Sequence, residues 1–113
     1  MCTRERALGI FDCAYQACVG LFGDKVSDAY LYGSYARGDY HDESDIDILI
    51  AVELDGAELA SYRREIARIN SELSLEHDVT VSLTIKAAQQ FNIYRNELPF
   101  YANVVREGIR YAT

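Results

Sequence analysis

Residues 45–52, Asp-Ile-Asp-Ile-Leu-Ile-Ala-Val, constrain this chain more than any other stretch. Side chains alternate between faces along a strand, so Asp45 and Asp47 leave by one face. Ile46, Ile48 and Ile50 leave by the other and enter a core. The run reads as a strand whose upper half is buried and whose first turn of the pleat carries two acids. Two carboxylates held this close are costly unless a cation lies between them.

The remaining elements follow from apolar spacing. Ala7, Ile10, Phe11, Ala14, Cys18, Leu21 and Phe22 step by three and four, the face of one helix, and Gly23 suits its end. Residues 28–32 predict a short strand, which leads into Gly33, Ser34 and a loop rich in glycine and acids. A long amphipathic helix is expected over 56–75, with Leu59, Tyr62, Ile66, Ile69 and Leu73 inward. Residues 78–85 alternate strictly and predict a third strand, with Asp78, Thr80, Ser82 and Thr84 on its polar face. A last helix is expected over 97–111, with Pro99 tolerated in its first turn. The order is helix, strand, strand, helix, strand, helix. It predicts one α/β (α+β) domain over residues 1–113, a small mixed sheet with helices packed on one face.

Charge and composition remove several functions. A formal net charge of −7 argues against a bulk electrostatic grip on DNA or RNA and against an anionic membrane surface. No apolar run approaches the roughly 18 residues of a membrane span. The three cysteines, Cys2, Cys13 and Cys18, lack paired or metal-site spacing. They read as reduced thiols, which points to the cytoplasm. His41 and His77 read as solvated loop or helix-end residues.

The chemistry concentrates between Gly33 and Asp47. Hard oxygen ligands such as Asp45 and Asp47 suit Mg²⁺. Two such ions roughly 4 Å apart can activate an attacking oxygen and stabilise a leaving one. A third carboxylate is wanted for the second ion and for the proton. Asp78, opening the third strand, is the best candidate, and Glu76 is the fallback. Gly33 allows backbone to come close to a ligand. Ser34 begins a helical turn whose free amides and hydroxyl form an anion pocket. Arg37 is either a charged fork for a triphosphate or a surface partner of Asp39 or Asp42. Tyr35 and Tyr40 flank the stretch and are candidates to stack on a base. A phosphate cradle and an acidic pair on consecutive strands are what phosphoryl or nucleotidyl transfer needs.

Gly33-Ser34, ten intervening residues, then Asp45-x-Asp47 resembles the signature of the DNA polymerase β-like nucleotidyltransferase superfamily. The fuller string GSYARGDYHDESDIDILI resembles its small prokaryotic branch, the MNT-type domains, and the ending LPFYANVVREGI resembles the tail of such domains. The resemblance implies a Mg²⁺-dependent transferase. Asp45, Asp47 and Asp78 would hold two Mg²⁺ ions, and Gly33, Ser34 and Arg37 would hold the triphosphate of ATP. It also implies a partner, the HEPN ribonuclease toxin of HEPN–MNT pairs, in a hetero-oligomer. The MNT protein would place AMP on a toxin tyrosine and silence it. Two alternatives stay open: an antitoxin that acts by contact alone, and a transferase for a small molecule of the aminoglycoside type.

Overall fold

The computed structural model describes residues 2–111. Its centre is strand β2, Ile46–Val52, in which every residue but Asp47 is buried. Strand β1, Val26–Tyr32, pairs with it antiparallel on one side; β3, Val81–Ala87, pairs with it parallel on the other. A two-residue strand, β4, Ile109–Arg110, pairs antiparallel with the outer edge of β1. The sheet is therefore mixed, as the sequence predicts, and its order is β3-β2-β1-β4, with β4 a strand the sequence reading did not include.

Helix α1, Arg4–Phe22, starts where the Thr3 hydroxyl accepts the Arg6 amide. With α4, Arg63–His77, it covers the face that presents Ile46, Ile48 and Ile50. Ile10, Phe11, Ile69 and Leu73 close that core. The opposite face is also covered, by α5, Ala88–Tyr94, and α6, Pro99–Glu107. There Phe91, Tyr101 and Val104 pack on Leu49, Ala51 and Tyr30. The expectation that helices lie on one face alone is thus corrected. Leu49 and Ala51 continue the Asp47 face as apolar residues, and a strand that is apolar on both sides needs cover on both.

Other boundaries differ from the sequence reading: β1 begins at Val26 rather than residue 28, and β2 at Ile46, which leaves Asp45 just before it. The helix expected over 56–75 is two helices, α3, Gly56–Ala60, and α4. Asp55 and Glu58 close a capping box at the start of α3, and the Ser61 hydroxyl donates back to the Glu58 carbonyl, which ends it. The helix expected over 97–111 ends at Glu107, and the chain after Gly108 returns as β4. A methyl on Gly108 would stand 2.3 Å from the Val104 carbonyl, so only glycine fits this exit. The third strand begins at Val81, not at residue 78. Asp78 instead caps α4 in the left-handed conformation, φ 53°, with its N–H donating to the Ser74 carbonyl. Helices commonly end on such a residue, and aspartate tolerates it better than most. Among the described residues no helix is long and apolar enough to cross a membrane.

The cap assigns Asp78 a structural duty that glycine performs without a Cβ penalty. Asp78→Gly is expected to raise unfolding free energy by about 0.5–1 kcal/mol, read from the urea midpoint at unchanged slope. A lower midpoint would mean that the carboxylate itself holds something in place.

Candidate functional site

The antiparallel register sets Tyr32, the last residue of β1, directly across from Asp47. The chain then turns through Gly33 into the one-turn helix α2, Ser34–Arg37. Gly33 has φ 76°, and a Cβ there would stand 2.3 Å from Asp47 Oδ2. The missing side chain lets the turn lie against the carboxylate. The Ala36 and Arg37 amides donate to the Gly33 carbonyl at 3.1 Å each. The amides of Ser34 and Tyr35 come before this ladder, at the positive end of the turn. Arg4 anchors α2 from α1 by donating to the Ala36 carbonyl at 3.1 Å.

The loop from Gly38 to Asp45 is short of regular structure but well tied. The Gly38 amide donates to the Ser34 carbonyl at 2.8 Å and closes α2. His41 and Ser44 clasp each other: the Ser44 amide donates to the His41 carbonyl at 3.0 Å, and the His41 amide to Ser44 Oγ at 2.9 Å. The His41 ring adds a role not foreseen, since Nδ1 accepts the Glu43 amide at 3.2 Å. The Ile46 amide then bonds the Thr80 carbonyl at 2.9 Å and seats β2 beside the β3 approach.

Asp45 is exposed and Asp47 half-buried. Burial, reinforced by the charge of Asp45, raises the Asp47 carboxyl above its usual range; the charge of Arg37 works the other way. The pair is short of positive charge, the condition under which a cation binds.

The structure thus sets Gly33 against Asp47 and leaves Asp45 near enough to act on it, with Ser34 next to Gly33 at the start of α2. Arg37 stands close enough for its charge to act on Asp47. It is exposed and paired with Asp39 at 3.3 Å and with Glu107 at 3.6 Å, which links α2 to the end of α6. Tyr35 is removed as a base-stacking residue. It is 1% exposed, donates to the Cys2 carbonyl, and stacks on Tyr40 at 4.5 Å.

Asp78 is not brought to the pair. It lies exposed at the α4 cap and lines a separate concavity of about 710 Å³ with Arg6, Asp42, Glu43 and Thr80. Neither Asp45 nor Asp47 lines that concavity, so its size does not make it the chemical site. Glu76, the fallback, sits exposed within α4. Among the described residues no group of three or more His, Cys, Asp or Glu is arranged to hold a metal. The three-acid expectation is corrected to a pair, because the left-handed cap breaks the alternation that would have aligned residue 78 with residue 82. The β3 residue in register with Asp47 is Ser82.

Two residues at the site escaped the sequence reading. The Tyr32 ring meets Phe100 edge to face at 5.6 Å, so α6 reaches the rim. Burial chiefly raises the Tyr32 phenol; a hydrogen bond with Thr84 lowers it, and the charge of Asp47 adds to the rise. Glu107 is the other, through Arg37. Pairing the two consecutive strands antiparallel across the Gly33 turn would have identified Tyr32. Nothing local marks Glu107.

Comparison with known proteins agrees with this geometry. Residues 16–109 match the family described as nucleotidyltransferase domain. Two proteins of Methanocaldococcus jannaschii, each provisionally named a protein adenylyltransferase, are similar in sequence. One is 42% identical over 59 residues, covering 52% of this chain and 58% of the relative. The other is 36% identical over 84 residues, covering 74% of this chain and 76% of the relative. The first match thus spans little more than half of that relative's length. Among solved structures, one described as a candidate minimal nucleotidyltransferase superposes with a TM-score of 0.59 at 24% identity, over 95% of this chain and 94% of the other. A toxin–antitoxin crystallised with AMP-PNP gives 0.55 at 21% identity, over 90% of this chain and 73% of the other. A double mutant of the MntA-HpeT toxin–antitoxin gives 0.57 at 20%, with the same coverage. These structural likenesses concern the fold.

The contact between Gly33 and Asp47 makes a sharp test. Gly33→Ala should displace the Asp47 carboxylate and cut nucleotidyl transfer by about 10²-fold, with the circular dichroism spectrum unchanged. A variant within twofold of the parent would mean that the close approach does not matter.

Proposed function

The chain belongs to the nucleotidyltransferase domain family, and from that membership we propose that it moves AMP from ATP to a tyrosine of a HEPN-type ribonuclease toxin and silences it. The observation that carries this reading is the turn at Gly33 lying against Asp47. It joins a phosphate-binding backbone to an acidic pair in one place. The names of the sequence relatives and the toxin–antitoxin neighbours support the choice of a protein acceptor. The neighbour crystallised with AMP-PNP supports an adenine nucleotide.

Each residue then has a task. Ser34 and the leading amides of α2 bind triphosphate oxygens. Asp45 and Asp47 would hold Mg²⁺, and their fit to it rests on two adjacent acids whose effect on each other outweighs the opposing charge of Arg37. When bound, Mg²⁺ neutralises the triphosphate and the pair together and orients the phosphates. Tyr32 and Phe100 wall the pair on the α6 side. The tyrosine oxygen of the acceptor bonds to the α-phosphorus while the bridging bond to the β-phosphate breaks. Pyrophosphate leaves with the electron pair, and the phenolic proton passes to solvent. The outer side of the site is open, since Asp45 and Ser82 are both exposed. An open site suits an acceptor carried on a large partner, in a hetero-oligomer in the cytoplasm.

A second reading has one observation in its favour. Ser82 stands where a third acid would complete the site, and a chain short of that acid can act as an antitoxin by contact alone. One experiment separates the two. The chain is mixed with the toxin, ATP and Mg²⁺, and the toxin is weighed by intact-mass spectrometry. The transfer reading expects a gain of one or more adenylyl groups on tyrosine, lost by at least ~10²-fold when Asp45 and Asp47 are both changed to Asn. Toxin activity should return with that loss. Protection that persists in the double variant would overturn transfer as the mechanism.

A further inference from the structure

Both residues in register with Asp47 on the neighbouring strands end in a neutral hydroxyl. Tyr32 of β1 stands across the antiparallel ladder, and Ser82 of β3 across the parallel one. Thr84, the next residue on the same β3 face, adds a third. Thr80, which precedes β3, is a fourth. Neighbouring strands lie roughly 4.8 Å apart, so these are the positions from which a side chain can share a ligand with Asp47. Not one of them is charged.

This matters for the number of cations. Mg²⁺ demands near-octahedral oxygen coordination and gives up water reluctantly. An ion on the nucleotide side gains phosphate oxygens along with Asp45 and Asp47. A second ion, on the acceptor side, would gain few of those. It would share carboxylates already committed to the first and be repelled by it across roughly 4 Å. A third carboxylate offsets that repulsion, and a serine hydroxyl does not.

We propose that the site holds a single divalent cation with its nucleotide, and that Ser82 is the residue that sets this number. The proposal rests on reading Asp45 and Asp47 as cation ligands. It goes beyond that reading by stating that the chain departs from two-ion chemistry, and by naming where. Ser82 is exposed and is the second residue of β3, in register with Asp47, so an aspartate there meets no packing obstacle and would stand beside Asp47.

The test counts Mn²⁺ rather than turnover. Chain saturated with AMP-PNP is dialysed against Mn²⁺, bound metal per chain is measured, and the electron paramagnetic resonance spectrum is recorded. The parent chain should hold one ion with the spectrum of an isolated Mn²⁺. Ser82→Asp should hold two, with the broadening of a coupled pair, and Ser82→Asn should stay at one. Two coupled ions on the parent chain would overturn the proposal and leave the ligand reading intact. No bound ion on the parent chain, with nucleotide still bound, would overturn the ligand reading and the proposal with it. Folded Ser82→Asp that still binds one ion would remove Ser82 as the determinant. The parent count stands by itself should that variant misfold, and Ser82→Glu is the second variant.

Discussion

A carboxylate inside the central strand of a sheet is tolerable only at an end where packing stops. Asp47 meets that condition narrowly. It is the one residue of β2 that is not buried, with Ile46 and Ile48 on either side wholly enclosed. Everything nearby accommodates it. β1 ends opposite it, the chain turns away through a glycine that leaves room for its oxygens, and α5 and α6 cover the same face only from Leu49 onward. The site is the gap where the second layer of helices has not yet begun.

That gap explains what could be read from the residues alone. Asp45, Asp47, Gly33 and Ser34 are close in sequence, and strand alternation plus turn chemistry sufficed to bring them together. The existence of β1, β2 and β3 and the inward face of α1 were equally legible, because each rests on a local period. Errors arose where a distant partner decides the outcome. Leu49 and Ala51 read as buried, but which element covers them is not local: α5 and α6, nearly forty residues on and beyond, make that face a second core. Asp78 looked like the first residue of an alternating strand. The preceding helix needed a left-handed stop, and that need outranked alternation.

The misplacement of Asp78 also shows why parity is a weak guide across an element boundary. Asp78, Thr80 and Ser82 have the same parity, yet a single residue at φ 53° detaches the first from the others. Family resemblance locates an acid near the start of the third strand, and the chain does carry one there by count. Backbone geometry, not composition, decides whether it faces the pair. The Arg37–Glu107 link makes the same point from the other side: neither the ligand nor the neighbours weighed for Arg37 included Glu107, which ties α2 to the last helix.

The raised carboxyl of Asp47 has an outcome for the lifetime of the protein. An empty site keeps two repelling charges in place, and a loaded one does not. Ligand that binds only the folded state deepens that state by an amount that grows with the logarithm of its concentration above Kd. Proteases that cut transiently opened chains act on whichever form opens more often. On the proposed reading, chains without nucleotide open more often and are the first that such proteases cut.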